Sequence, residues 1–294
     1  MPINQLPSYG GQAVLEGVMM RGTRALAVAC RAPDQKIVLH IEPLSSLYRG
    51  RFSKIPFIRG LLGLYDALGL GFRSLSFSAN VAGGEEVKFE GPVAWGTIAA
   101  SLAFGIGLFF LAPAAVAQAG ETWLGFPSYL GNILEGVIRL GLIVGYLWII
   151  GFMPDIKRLF GYHGAEHKTI NAFEAGVELT PASVAKFPLE HPRCGTAFLL
   201  TVVIFSILLF TLLGPLPGWL RLVSRVALIP VIAGIAFEYI RFTARHLNNP
   251  LVKILVVPNL LLQRLTTREP DEAMLEVAIT AFNTMREQEG QLVS

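Results

Sequence analysis

The sequence predicts a mainly α-helical, polytopic membrane bundle of about four spans, with a small N-terminal β region and cytoplasmic helices. The first observation is composition: 53% of the 294 residues are hydrophobic and only 15% are charged. An average soluble domain carries about 25% charged residues, so a soluble enzyme and a disordered chain are both excluded. The other two observations are long uncharged stretches and basic residues gathered in a few segments. With 24 Lys and Arg against 21 Asp and Glu, the chain lacks the basic surface of a nucleic-acid-binding protein.

The spans are predicted where about 20 mostly apolar residues follow one another, the length that crosses a bilayer as a helix. Residues 93–117, 129–153, 195–213 and 222–239 meet this criterion. The last segment meets it least well because it contains Arg225, Pro230 and Glu238. In the second segment, Glu135 and Arg139 are four residues apart, so on a helix they are expected to neutralise each other.

The distribution of basic residues sets the predicted orientation. Residues 1–92 carry ten Lys and Arg, residues 154–194 carry five and residues 241–294 carry six, which places 21 of 24 on one side. Cytoplasmic loops of membrane proteins carry such an excess. We therefore expect a multi-pass protein of the inner (cell) membrane with both termini and the 154–194 connection in the cytoplasm.

Six segments follow from this reading. They are an N-terminal region with short strands (1–56), an amphipathic interfacial helix and linker (57–92), and transmembrane helices 1–2 (93–153). Next come the cytoplasmic connection with the histidine motifs (154–194), transmembrane helices 3–4 (195–246) and a cytoplasmic C-terminal helical tail (247–294). In the first segment, runs 13–20, 25–31 and 36–41 are predicted strands, separated by turn residues at 21–23 and 33–35.

Two cytoplasmic helices are expected outside the spans. The apolar residues of the first recur at helical spacing, and it follows the basic residues Arg49, Arg51 and Lys54. This pattern fits equally a helix lying on anionic membrane lipids and a core helix packed on the bundle. The apolar residues are Ile58, Leu61, Leu62, Tyr65, Leu68, Phe72 and Leu75. The second helix opens at Pro270 and is expected to dock on the other cytoplasmic pieces through one face, formed by Met274, Ala278, Phe282 and Met285.

The chemistry-bearing motif is Tyr162-His-Gly-Ala-Glu-His-Lys168. On a helix, His163 and His167 lie on one face a turn apart and can share a metal ion. Glu166 lies about 60° to one side of His163. The order H-x-x-E-H is also that of the inverted zincins, in which two histidines bind zinc and the glutamate is the general base. The alternative is a polar helix whose histidines only hydrogen-bond to neighbours, and the local spacing favours neither.

A third ligand is expected from residues 190–194. Glu174 shares the azimuth of the two histidines but lies about 10 Å beyond His167 along the axis, so a supporting position suits it better. The stretch Glu190-His191-Pro192-Arg193-Cys194 offers a carboxylate, an imidazole and a thiol. Either His191 or Cys194 would complete a three-ligand site with an open fourth position, as in catalytic zinc sites. Cys194 as a buried thiol without function is an equal alternative.

Two residues in the C-terminal third of the chain are further candidates for ligands. Glu238 lies at the inner end of the fourth span, where a carboxylate must be paired or bound. A salt bridge with Arg241 or Arg245 is the expected explanation, although inverted zincins complete their site with a late glutamate. His246 is expected to be a cation at a helix C-terminus and not a ligand.

Three motifs in order resemble a known family. They are Gly10-Gly-Gln-Ala-Val-Leu-Glu-Gly-Val-Met-Met-Arg-Gly22, the 162–168 motif, and His191-Pro-Arg-Cys-Gly-Thr196. Together they resemble the YqhQ-like family of bacterial membrane proteins over nearly the whole chain. The resemblance implies a metal-dependent enzyme without an established reaction. Carried over by position, and with no departure from the pattern, the motif residues are Glu16, Arg21, His163, Glu166, His167, His191, Arg193 and Cys194. Glu16 and Arg21 have an equal alternative, a charge pair closing a glycine-rich turn.

The sequence thus favours a divalent-metal hydrolase, with zinc as the first choice and Glu166 as the general base. Its position suggests contact with membrane lipids and a lipid-linked or membrane-peptide substrate. A non-enzymatic scaffold or assembly factor, with a structural metal or none, is the alternative. A transporter is third, because the spans carry few polar residues and no internal repeat is evident. The sequence leaves the oligomeric state open.

Overall fold

The N-terminal region forms a four-stranded antiparallel sheet in a computed structural model that describes residues 9–45, 55, 57–83, 91–214, 216 and 218–291. The basic residues 49, 51 and 54 lie outside that part of the chain. The strands pair in chain order: β1 Gly10–Val14, β2 Gly17–Arg21, β3 Ala25–Arg31 and β4 Ile37–Pro43. Turns at 22–24 and 32–36 agree with the sequence prediction. Run 13–20, predicted as one strand, instead folds back at Leu15 and Glu16, and Glu16 adopts the left-handed region with φ 51°.

The sheet separates two hydrophobic layers because its strands alternate side chains between faces. One face packs on helices α5 (Pro154–Glu174) and α11 (Glu272–Gln291), and the other packs on α1 (Ile58–Gly83). The C-terminal helix therefore docks as predicted, and the four residues of its expected apolar face are all buried. This three-layer unit carries α5, and hence the histidine motif, on one side of the sheet.

Helix α1 buries the face opposite to its apolar stripe. Leu70 and two serines, at 74 and 78, are buried, whereas Tyr65 and Leu68 are 74% and 65% exposed. Gly60 and Gly63 allow close contact with Phe237 of α9 (Ile229–Arg245). Helix α1 thus shows features of both alternatives, since it packs on α9 of the bundle and leaves its apolar stripe exposed.

The apolar helices match the predicted spans closely. Three are long and apolar enough to cross a membrane: the continuous helix Trp95–Leu124, Ser128–Ile150 (α4) and Thr196–Leu213 (α7). The first comprises α2 (Gly91–Ile106), a π-helical turn at Gly107–Leu111 and α3 (Ala112–Leu124).

The predicted fourth span is broken. Helices α8 (Gly218–Ala227) and α9 meet at a bend of 44°, and together they would make a fourth crossing. The bend follows from Pro230, which has no N–H to continue the helix and fits only its first turn. Within the described residues, three helices are therefore long and apolar enough to span a membrane, or four when the bent pair counts as one.

The predicted C-terminal tail contains one helix that packs on the bundle. Helix α10 (Pro250–Thr266) contacts α7 and α4, and Leu262 shares a small core with Leu147 and Leu200. Its other side leaves apolar side chains exposed, including Leu251, Ile254 and Leu261. The core that Leu262 shares with Leu200 holds the C-terminal part of α10 beside the start of α7.

A short four-residue helix, α6 (Pro181–Val184), lies in the connection before α7.

Gly17 is expected to be essential for the sheet. A Cβ atom there would lie 2.2 Å from the carbonyl oxygen of Ala29 and 2.9 Å from the Cα of Cys30, and backbone cannot yield cheaply. We expect Gly17→Ala to lower the free energy of unfolding by about 1–3 kcal/mol, the usual cost of overpacking. Thermal unfolding of the detergent-purified protein measures this. Gly10→Ala, where a Cβ meets nothing within 4 Å, is the control; equal effects of both variants would contradict the packing argument.

Candidate metal site

Helix α5 places both motif histidines on one buried face. The rings of His163 and His167 are 4.4 Å apart between centroids, as expected for residues one helical turn apart. Gly161, Gly164 and Ala165 make the helix narrow enough to be packed from several sides. Tertiary packing therefore holds α5, whose sequence has no continuous apolar face.

Backbone carbonyls fix the tautomer that each ring adopts when neutral. Nδ1 of His163 donates to the carbonyl oxygen of Thr266 at 2.8 Å, and Nδ1 of His167 donates to that of Leu189. Each neutral ring therefore keeps a lone pair on Nε2. Nε2 of His167 is buried and has no hydrogen-bond partner among the described residues. Metal-ligating histidines are commonly oriented in this way.

Cys194 faces these nitrogens from the start of α7. Its Sγ lies 3.2 Å from Nε2 of His163 and receives the backbone N–H of Thr196 at 3.4 Å. The ligand atoms of His163, His167 and Cys194 all lie within 4.8 Å of one another. Two imidazole nitrogens and one sulfur are ligands that zinc accepts. The residues present therefore fit a divalent metal such as zinc.

Side chains of α5 also hold the irregular segment that carries Leu189. Nζ of Lys168 donates to the carbonyls of Ala185 and Phe187, both at 2.8 Å. Nδ2 of Asn171 donates to the carbonyls of Pro188 and Glu190. Because these carbonyls lack partners from regular secondary structure, Lys168 and Asn171 fix the segment that orients His167.

Of the two alternatives for the third ligand, Cys194 joins the histidines and His191 faces elsewhere. The His191 ring is buried, but its Nδ1 accepts from the N–H of Arg193 and its Nε2 faces a carboxylate oxygen of Glu174 at 3.7 Å. Glu174 also pairs with Arg193. It stays out of the ligand group and supports the segment, as its axial position predicted. Burial is the main cause that lowers the pKa of His191.

Helix α10 supplies the remaining supports. The Gln263 amide holds the backbone of His191 on both sides, accepting from its N–H and donating to its carbonyl, each at 2.9 Å. Arg264 binds the carboxylate of Glu190 at 2.9 Å. Gln263 and Thr266 were missed by the sequence reasoning. The sequence carries no local signal for them, because they lie about 100 residues after the histidine motif.

Glu166 lies beside the ligand group and outside it. Its side chain packs against the backbone of Gly11 in β1, where a Cβ would lie 2.8 Å from Cδ, and the Gly11 N–H donates to the carboxylate. Burial raises the pKa of Glu166 to about 7, opposed in part by the nearby His163. A carboxyl group with this pKa can take and return a proton near neutral pH.

Glu16 is also tied to α5. Its carboxylate accepts two hydrogen bonds from Arg158, at 2.6 and 2.5 Å, and one from the Tyr162 hydroxyl at 3.3 Å. These bonds, chiefly those from Arg158, hold the pKa of Glu16 below its usual value. The ion pair observed is therefore with Arg158, a partner the sequence did not indicate. Arg21 ends β2, where its backbone pairs with Gly10 and Leu26.

Glu238 is not at the site, and its expected partners were wrong. Its carboxylate binds the guanidinium of Arg59 in α1 and accepts the N–H of Phe57 at 3.2 Å. The pairing joins α1 to α9, a contact that neither local spacing nor hydropathy reveals. His246 follows α9 and its Nδ1 donates to the carbonyl of Phe242, away from the candidate ligands.

The close packing around position 164 explains why the histidine motif contains a glycine. A Cβ there would lie 2.2 Å from the carbonyl oxygen of Arg268 and 2.8 Å from a methyl group of Leu189. Only glycine lets the chain that follows α10 approach α5 this closely. The same approach delivers the carbonyl of Thr266 to His163.

Comparison with known proteins identifies the family of this chain. A family described as "Protein of unknown function (DUF1385)" matches residues 55–288. The chain belongs to this family. The DUF1385 chain is also 36% identical over 298 residues to "Uncharacterized protein YqhQ" of Bacillus subtilis (strain 168), covering 95% of this chain and 92% of that protein. No solved structure matches.

The three motifs that carry the YqhQ-like resemblance meet in space. Gly11 contacts Glu166, Glu16 contacts Tyr162, and Cys194 contacts His163. Residues far apart in the sequence therefore surround one short stretch of α5. In this member of the DUF1385 family, the motifs form a single cluster of contacts around His163 and Glu166.

Metal content should depend on the three converging residues. We expect about one metal ion per chain in the detergent-purified protein, reduced at least tenfold in His163→Ala and in Cys194→Ser, since each variant loses a direct ligand. Mass spectrometry of metals, beside a protein assay, measures the ratio. His246→Ala is the matched control and should keep the wild-type ratio. A wild-type protein without stoichiometric metal after purification in metal-supplemented buffer would contradict the site.

Proposed function

We propose that this DUF1385 protein is an integral membrane, metal-dependent enzyme, a hydrolase that acts at the cytoplasmic membrane surface with a divalent metal, zinc first. One observation carries the proposal. Two histidine Nε2 atoms and the sulfur of Cys194 converge, and both Nδ1–H groups are used by backbone carbonyls. Three protein ligands leave a coordination position for a reactant, as in catalytic zinc sites.

The location is supported by the elements that hold the ligands. Cys194 stands two residues before the apolar helix α7, and α5 begins four residues after the apolar helix α4 ends. Helices α1 and α10 expose apolar side chains, and burying such side chains in the interfacial region of a membrane is favourable. A reactant held between these elements would be lipid-linked or a membrane peptide.

The chemistry divides between the ligand group and Glu166. A bound divalent ion lowers the pKa of water and polarises a carbonyl or phosphoryl oxygen. His163, His167 and Cys194 would hold this ion. Glu166 would take a proton from the attacking water on one carboxylate oxygen while the N–H of Gly11 holds the carboxylate in place. Burial keeps the pKa of Glu166 near 7, so the proton can then pass to a leaving group.

A substitution at Glu166 should reduce activity without reducing metal binding. We expect Glu166→Gln to keep the wild-type metal content, because the glutamine is outside the ligand group and can still accept from Gly11. Removing a general base lowers a rate about 10²–10⁴-fold. Complementation of a deletion strain, read beside the metal content of the same variant, measures both.

The rival reading is a scaffold whose metal is structural. Full complementation by Glu166→Gln, with failure of His163→Ala, would favour that scaffold and reject the hydrolase. Glu178→Gln is the control for loss of a carboxylate in the same connection, since the Glu178 side chain is exposed and lies outside the supports of the site. It should complement like the wild type.

The proposed orientation predicts which positions meet an impermeant thiol reagent. In intact cells, Trp123→Cys should react and Glu178→Cys should react only after permeabilisation, because 21 of 24 basic residues lie on the side of Glu178. Both positions are exposed, and the native Cys30 and Cys194 are buried. The reverse pattern of labelling would place the metal site outside the cell.

A further inference from the structure

A cluster of charged side chains lies inside the apolar bundle, far from the metal site. Glu135 and Arg139 are each 1% exposed, Arg225 is 2% exposed and Arg221 is 4% exposed. Glu121 completes the cluster. These residues come from α3, α4 and α8 and surround Phe210, near the end of α7 that is remote from Cys194. Charged groups in such a place are costly unless they pair or bind a ligand.

Glu135 is the centre of the cluster. It pairs with Arg139 at 2.7 Å, as the sequence predicted, with Arg225 at 2.7 Å and with Arg221 at 3.5 Å. Arg221 also pairs with Glu121 at 2.7 Å. Asn132 accepts from both Arg221 and Arg225. Among the described residues, no third carboxylate contacts these arginines.

The charges do not cancel. Three guanidinium groups face two carboxylates, which leaves one positive charge in excess. The faces of Phe110 and Phe210 lie 4.9 Å from Arg139 and 4.0 Å from Arg225. Aromatic faces attract a cation but do not neutralise it. A bound anion would balance the excess charge.

Arg221 carries a donor that no described group accepts. Its Nε is buried without a hydrogen-bond partner among the described residues, whereas both of its terminal nitrogens are bound. Arg221 stands three residues after the start of α8, and Glu121 three residues before the end of α3. At 1.5 Å per residue both lie about one turn from the end of the bundle. By the same measure, Arg139 is about 16 Å from the start of α4.

We propose that Arg221 binds the phosphate group of an anionic phospholipid at the membrane face opposite to the metal site. The depth of Arg221 suits a lipid headgroup, and arginine presents its N–H donors in the plane that phosphate oxygens accept. A free phosphate ion offers the same chemistry and is the other source to distinguish. The proposal shares the membrane location with the proposed function but does not depend on the metal.

The test uses the full-length protein in detergent. Native mass spectrometry, after equal addition of phosphatidylglycerol and phosphatidylcholine, should show one phosphatidylglycerol retained in preference to phosphatidylcholine. Arg221→Gln should weaken that retention at least about tenfold, since a hydrogen bond to a charged group is lost. Arg245→Gln, an exposed arginine at the other end of the bundle, is the matched control and should behave as the wild type.

A second variant predicts the opposite change. Glu121→Gln removes a carboxylate that competes for Arg221, so it should strengthen the retention of phosphatidylglycerol. For the free ion, the melting temperature of lipid-free wild-type protein is measured in sodium phosphate and in sodium chloride of equal ionic strength. Stabilisation by phosphate alone, lost in Arg221→Gln and without lipid preference, assigns the site to the free ion.

Two results would overturn the proposal. One is a wild-type protein that neither prefers phosphatidylglycerol nor gains stability from phosphate. The other is equal lipid and phosphate binding by the wild type and Arg221→Gln. The wild-type measurements need no variant, so they can overturn the proposal even if Arg221→Gln fails to fold. Loss of metal in His163→Ala would leave all these results unchanged.

Discussion

The close approach of α5 to the chain after α10, at Gly164, is the contact on which the candidate site depends. It places the carbonyl of Arg268 where any side chain at 164 would collide, and it lets the N–H of Arg268 donate to the carbonyl of Phe160 at 2.9 Å. The carbonyl of Thr266 then reaches His163, and Gln263, one turn earlier, reaches the backbone of His191. The backbone contact between Gly164 and Arg268 thus orders parts of α5, α10 and the segment before α7.

The two polar centres of the molecule lie at opposite ends of α7. Cys194 precedes its first residue, and the carbonyl of Phe210 near its last turn accepts from Asn132 at 3.0 Å. Between Thr196 and Phe210 the helix is apolar except for Thr201 and Ser206, which bind backbone carbonyls of their own helix. Ser206 also accepts from Arg139 at 2.6 Å. Since charges in low dielectric are weakly screened, separating the centres keeps the excess positive charge away from the candidate metal ligands.

The sequence predicted most of what depends on neighbouring residues. The strand turns, the face of α11 and the apolar helices follow from local patterns, and the pair His163 and His167 follows from helical spacing. The apolar stripe of α1 could not be resolved, because periodicity does not tell lipid from protein. The partners of Glu16 and Glu238 could not be predicted either, because they lie 142 and 179 residues away in sequence.

The site was harder to predict because much of it is backbone. The carbonyls of Thr266 and Leu189 and the N–H of Gly11 set the roles of His163, His167 and Glu166, yet a backbone group has the same chemistry at every residue. Only the fold brings these groups to the motif. Cys194 could be named in advance as one of two alternatives, and its orientation at the start of α7 separated it from His191.

The position of Glu166 has an energetic cost that bears on function. Because burial raises the pKa of Glu166 to about 7, the folded state holds a proton that the unfolded state releases at lower pH. Stability is therefore lost as the pH rises from the ordinary pKa of glutamate towards 7, by up to about 3 kcal/mol. A glutamine could accept from Gly11 without this loss. The proposed role of Glu166 as a general base requires a pKa near neutral, and this loss of stability accompanies it.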